Sequence, residues 1–248
     1  MLTIAAVGAI NAQKIEKTEK VGSSLYEMVY NAKDDSLYVA AVGKRGEPST
    51  ANIYKLDPTT LAVTGTINVG EAPAFGLGLN RKTQTLYSSN TRSNSVHAID
   101  LKTNKAVRTF DSGGKNAINV AIDIKGKRLF VAHQETGTLS VLTTDGKLLK
   151  SIETGAGALG VAYNPAKNQV YVSNRRGGTT SIIDAKTYTK LADLKTGTYP
   201  QTIAFDEKSG KVWVTNKAKS APRPQPGQPA QPAPEDPTGN VVTLISPK

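Results

Sequence analysis

The sequence predicts an all-β chain folded as a β-propeller of four-stranded meander blades, on three observations. Four short runs fill residues 158–197: LGVAY, QVYVSN, TSIID and KLADLKTG are of strand length, rich in Val, Ile, Tyr and Thr, and separated by Asn-Pro, Arg-Gly-Gly and Lys-Thr turn signals. The aromatic of the second run, Tyr171, recurs as Tyr38, Tyr87, Phe130 and Trp213, at spacings of 49, 43, 41 and 42 residues. A repeat of that length with four strands per copy is a propeller blade. Five copies fit, and the two chain ends complement each other.

Before the first blade stands MLTIAAVGAINA, an apolar run ending in small residues. It reads as the back half of a secretory signal covering residues 1–12, without a basic start, with cleavage after Ala12; the other reading is a short N-terminal strand. It is too short to span a membrane, which needs about 20 apolar residues. Residues 13–248 form one domain, since a continuous repeat leaves no linker at which to divide it.

QKIEKTEKVG, ending at Gly22, resembles the ends of later blades. Counting back seven from Gly22, Gly70 and Gly155 gives Ile15, Val63 and Leu148. The C-terminal NVVTLISPK supplies a third strand and no fourth. The N-terminal strand is therefore expected to close the last blade, hiding an edge that would invite aggregation. An open ring, or one completed by a second chain, is the alternative.

Five inner strands follow: Tyr26 to Asn31, Phe75 to Asn80, Ile118 to Asp123, Leu159 to Asn164 and Gln201 to Asp206. Their third positions are large and apolar (Met28, Leu77, Val120, Val161, Ile203), while the flanking positions are mostly small, as in Gly76, Gly78, Gly160 and Ala162. Such alternation seats one blade's bulky face on its neighbour's shallow face. Asp123 and Asp206 close inner strands, and Asp57, Asp100 and Asp184 leave third strands before Lys-Thr or Pro-Thr-Thr. Both groups are expected to form turns. APRPQPGQPAQPAPEDP, residues 221–237, breaks the pattern and reads as an extended, disordered proline-rich loop inside the last blade.

The chemistry expected of the chain is sparse. There are no cysteines and two histidines, His97 and His133. His133 takes the place of Asn90, Asn174 and Asn216 in other copies, which favours a hydrogen-bonding structural role over a ligand role. A glycosidase would need paired carboxylates at the inner strands. Only Glu27 lies there, opposite Gly76, Asn119, Gly160 and Thr202 in the other copies. No catalytic residue, metal site or cofactor is expected.

VYVSNRRGGTTSIIDAKT and VWVTNK, with LYVAA, LYSSN and LFVAH, resemble the YVTN-repeat β-propeller family, and the likeness runs over about residues 20–248. The bacterial members it most resembles imply a secreted, periplasmic, non-enzymatic propeller that binds DNA, preferring single strands. Such proteins typically have seven blades, and this chain has material for five. A ligand site spanning several blades in the family is therefore not carried over.

Charge points the same way: 31 Lys and Arg against 20 Asp and Glu, a net +11, favour polyanionic partners. The loops joining second to third strands share a face with the blade-to-blade connections. Arg45, Arg92, Lys115, Arg175, Arg176 and Lys217 are the candidate phosphate contacts on that face, and Phe75 and Tyr199 the candidate stacking platforms. The opposite face carries Arg81, Lys82, Lys125, Lys127 and Arg128. The expected partner is single-stranded DNA or another polyanion held by a monomer. A scaffold for a protein or an anionic envelope polymer is the second class, and an enzyme with a bound cofactor the third.

Overall fold

A computed structural model describes residues 15–44, 46–222 and 232–246. Five antiparallel sheets follow one another along the chain, as the repeat predicts. The first blade is β1 (Leu25–Asn31), β2 (Ser36–Ala41), β3 (Asn52–Leu56) and β4 (Val63–Asn68). The second is β5 (Ala74–Asn80), β6 (Thr85–Asn90), β7 (Ser95–Asp100) and β8 (Lys105–Asp111). Then come β9 (Ala117–Asp123), β10 (Arg128–His133), β11 (Thr138–Thr143) and β12 (Leu148–Glu153). The fourth blade is β13 (Ala158–Asn164), β14 (Gln169–Asn174), β15 (Thr179–Asp184) and β16 (Lys190–Lys195). The last holds β17 (Pro200–Phe205), β18 (Val212–Asn216) and β19 (Val241–Ile245).

Turn chemistry explains where the strands stop. The Asn80 carboxamide accepts from the N–H groups of Lys82 and Thr83, the Asp123 carboxylate from Gly126, and the Asp206 carboxylate from Lys208 and Ser209. Asp57, Asp100 and Asp184 do the same at third-strand exits, receiving Thr60, Lys102 and Lys186 N–H groups. These carboxylates are spent on turns, as expected.

The core is laid down at blade junctions. Leu77 and Leu79 of β5 pack with Tyr38, Ala40, Ile53 and Ile67 of the first blade, and comparable clusters join the second blade to the third, the third to the fourth and the fourth to the fifth. Close approach of the inner strands explains their glycines. A Cβ on Gly160 would lie 2.1 Å from the Gln201 carbonyl oxygen, and one on Gly76 2.7 Å from the Asn119 Cα.

The expected closure of the last blade by the N-terminal strand is not formed. The fifth sheet is three-stranded, ending at β19, and residues 15–22 carry no strand. The chain at Ser23 and Ser24 instead accepts from the Gly43 and Val42 N–H groups, which ties it to the first blade. Gly22 packs on the Tyr54 ring. Where β4 and β12 bury Ile67 and Ile152, three residues before their glycines, this segment has Glu19, and its Ile15 is 87 % exposed.

Among the described residues the ring is consequently open. Val242 of β19 is 64 % exposed, whereas its counterparts Ile53, Val96 and Leu139 are wholly buried by a following blade. At the other end Met28 is 65 % exposed against 3 % for Leu77. Among the described residues no hydrophobic cluster joins the fifth blade to the first. Residues 1–12, read as a signal remnant, and 223–231 of the proline-rich segment lie outside the described residues. What is described of 221–237 connects β18 to β19, as expected, and contains no strand.

Candidate nucleic-acid interface

Arg175 and Arg176 owe their position to a tight hairpin turn. The Gly178 N–H donates to the Asn174 carbonyl at 2.9 Å, and Gly178 takes the positive φ, +67°, that the turn requires. The turn is also locked to the connection before β13. The Arg175 N–H donates to the Gly157 carbonyl at 2.8 Å, and the Arg176 N–H to the Ala156 carbonyl at 3.0 Å. With both backbones fixed, the two side chains stand on a ridge between two hollows.

The first hollow, about 570 Å³, lies between the fourth and fifth blades. Arg175, Arg176, Lys195 and Lys219 supply its charge, Tyr199 one wall, and Pro237 with Thr238, the end of the proline-rich insertion, another. Among the described residues no carboxylate lines it. Asp236 sits close by and is engaged by the Thr198 hydroxyl at 2.8 Å and the Lys219 N–H at 3.1 Å. The second hollow, about 350 Å³, is walled by Asn116, Gln134 and Glu135 opposite the two arginines. Arg176 Nη2 donates to the Gln134 carbonyl at 2.8 Å.

Arg175 stacks over the Tyr199 ring at 5.2 Å, and its buried Nε has no hydrogen-bond partner. The stack holds the guanidinium flat, leaving its donors for a ligand. Tyr199 itself has a positive φ of +43°, with its carbonyl accepting from the Lys217 N–H and from Gln201 Nε2. One of its faces is thus already covered by Arg175. Phe75 is packed away from the rim, meeting Tyr26 edge-on at 5.0 Å and lying against the cluster between the third and fourth blades.

Of the residues singled out in the sequence, the structure brings together Arg175, Arg176 and Tyr199. Arg92, Lys115 and Lys217 are exposed on neighbouring loops and line none of these hollows. Arg45 lies outside the described residues. Lys219 lies on the basic face the sequence marks, just after the Lys217 turn, whereas Lys195 was missed, because it is the last residue of an outer strand. Their convergence depends on the blade-to-blade packing. On the opposite face Lys82, Arg108, Lys125 and Lys127 share a hollow of about 770 Å³. Arg108 is partly engaged there, donating to the Thr144 carbonyl at 3.5 Å.

Around the propeller axis a cavity of about 400 Å³ is lined by β1, β9, β13 and β17. Burial holds the Glu27 carboxyl up at about 7, against the lowering effect of the Leu77 N–H that it accepts at 2.9 Å. His133 is fully buried against Gly114, and desolvation lowers it to about 4. Neither ring nitrogen makes a well-formed hydrogen bond, although the Thr138 and Ser112 backbone lies near enough to oppose the lowering. The hydrogen-bonding role expected of it is filled only in the other blades, where Asn90, Asn174 and Asn216 donate to Ser95, Thr179 and Thr243 hydroxyls. Among the described residues no group of His, Asp and Glu could hold a metal ion.

With the blades and the basic ridge in place, comparison with known proteins decides the family. A profile described as a YncE-like beta-propeller matches residues 31–221. The chain belongs to the YncE-like β-propeller family. It is similar to the uncharacterized protein YncE of Salmonella typhi, 33 % identical over 208 residues that are 82 % of this chain and 57 % of that protein. The uncharacterized protein YncE of Escherichia coli strain K12 is 24 % identical over 262 residues, 82 % of this chain and 73 % of that one. The chain thus spans little more than half the length of its Salmonella relative. Among solved structures, a chain of Kuenenia stuttgartiensis hydrazine synthase superposes with a TM-score of 0.72 over 95 % of this chain and 67 % of its own, at 17 % identity. One of the mitotic checkpoint complex gives 0.67 at 14 % identity, over 78 % of this chain and 59 % of its own. At such identities these two speak for the fold alone. No helix of the described residues is long and apolar enough to cross a membrane.

Proposed function

We propose that this YncE-like propeller is a non-catalytic periplasmic binding protein that holds single-stranded nucleic acid along its loop face. The observation that carries the reading is the groove in which Arg175, Arg176, Lys195 and Lys219 converge beside Tyr199 without a lining carboxylate among the described residues. Guanidinium forks suit phosphate geometry, and a groove of cations tracks a backbone without reading sequence. Export is supported by the apolar run of residues 1–12, which ends in small residues. The net charge of +11 adds a long-range attraction for a polyanion.

Fluorescence anisotropy with a labelled oligonucleotide over a salt series tests this. Each phosphate neutralised adds about 0.7 to the slope of log affinity against log salt for a single strand. The double variant Arg175→Glu, Arg176→Glu should weaken binding at least tenfold and flatten the slope by roughly 1.4 if each contacts one phosphate. Lys125→Glu with Lys127→Glu, on the opposite face, should do much less. No binding at low salt, or equal losses from the two pairs, would reject the loop face and leave the scaffold reading in its place.

A further inference from the structure

Glu27 is half-buried at the axis, with no ion-pair partner among the described residues. Its Oε2 accepts from the Leu77 N–H at 2.9 Å. Capping that N–H does not need a charge. In the next blade the equivalent Val120 N–H is capped at 2.8 Å by the neutral Asn119 Oδ1. A carboxylate in this place carries a desolvation cost that a carboxamide avoids, and a bound cation would offset it.

The cavity beside it offers the rest of a cation site. Tyr26 lies next to Glu27 on the wall, with its ring set against the edge of Phe75, so an aromatic ring and a carboxylate flank one space. Asn119, Gln201 and Thr202 are its polar lining residues, while Met28, Val161 and Ile203 provide an apolar wall. A divalent metal would want several carboxylates, and Glu27 is the one that lines the cavity. At about 400 Å³ the space falls in the range of small-molecule sites. We infer that the axial cavity binds a small alkylammonium ion, with Glu27 as counter-ion, Tyr26 against the charged head and Met28, Val161 and Ile203 along the alkyl chain. This site is separate from the basic groove and does not depend on nucleic-acid binding.

Ionisation of Glu27 governs the affinity. The groups facing it are Tyr26 on its own strand, Phe75 and the Leu77 N–H on β5, Asn119 on β9, Leu159 to Val161 on β13, and Gln201 to Ile203 on β17. None of these brings a second carboxyl, and Arg175 is the cation whose charge reaches Tyr26. Binding should weaken about tenfold for each pH unit below about 7, where Glu27 protonates.

The test uses the full chain labelled with 13C-methyl methionine. Met1 and Met28 are the two methionines, so Met28 reports directly on the cavity. Titration with n-hexylammonium chloride at pH 8.5 should shift the Met28 methyl signal saturably, and 1-hexanol, the neutral analogue, should bind at least tenfold more weakly. Glu27→Gln keeps an acceptor for the Leu77 N–H and should lose at least tenfold for the ammonium ion while leaving hexanol unchanged. Thr202→Trp, which fills the cavity from β17, should abolish the shift and serves if the Glu27 variant does not fold. Equal affinity for the amine and the alcohol, or an undisturbed Met28 signal, would overturn the assignment. Oligonucleotide binding by the same samples should be unaffected by the amine, which separates this outcome from that of the basic groove.

Discussion

Two titratable side chains shielded from water, half-buried Glu27 and buried His133, pull the pH dependence of stability in opposite directions. The Glu27 carboxyl is raised to about 7, so its contribution is fully present below its unfolded value near 4.5 and is lost as pH rises through 7. His133 is lowered to about 4, so its contribution is intact above its unfolded value near 6.5 and is lost as pH falls through 4. Each changes stability by at most about 1.4 kcal/mol per pH unit. Glu27→Gln should therefore remove a loss of stability between pH 5 and 7, and His133→Asn a loss between pH 6 and 4, both read from urea midpoints. The asparagine should also gain what its counterparts have. Thr138 and Ser140 stand where Thr179 and Ser181 receive Asn174, and the Ser140 hydroxyl is buried without a partner. A gain of roughly 1 kcal/mol is expected for a restored buried hydrogen bond; a loss at every pH would mean that the imidazole's packing against Gly114 outweighs it. The sequence showed the position of His133, since the asparagine register betrays it. It did not show that Glu27 is half-buried at the axis, because its equivalents are Gly, Asn, Gly and Thr, and burial there depends on how blades meet.

Strand by strand the fold was legible, because two-residue alternation and turn chemistry are local. Large residues at third positions and small ones beside them predicted interlocking inner strands, and the Gly160 backbone does press on Gln201. Gly160→Ala should cost about 1–3 kcal/mol, the range for forcing a methyl group into packed structure. Gly65→Ala is the control, since its Cβ would meet nothing nearer than 3.5 Å on an outer strand. Chemical denaturation of the two variants decides it, and equal midpoints would show that β13 and β17 can move apart freely. Two features of the elements were not legible. Inner strands slip register near their starts, as between Ala74 and Leu77 or Pro200 and Ile203. Lys195 joins the basic groove from a place that no single repeat marks. Both arise from contacts between strands distant in sequence.

At the scale of the whole molecule, the repeat told how many blades to expect and misjudged how the last one ends. A match in spacing makes residues 15–22 resemble an outer strand, but spacing carries no partner, and Glu19 replaces the isoleucine that would anchor it. Among the described residues β19 is left with an unpaired edge and an uncovered face formed by Trp213, Val242 and Leu244. An apolar face beside a free edge is a template for self-association. Val242→Lys with Leu244→Lys should therefore lower the self-association seen by sedimentation velocity at high protein concentration and reduce the binding of a hydrophobic dye. Because both side chains are already exposed, the stability change should stay near 0.5 kcal/mol, as for ordinary surface substitutions. Leu139→Lys, the same chemistry placed at the buried counterpart of Val242 in the third blade, should prevent folding or cost several kcal/mol through an unpaired buried charge. A large loss of stability from the β19 pair would mean that this edge is covered in solution, and the open ring would then have to be given up.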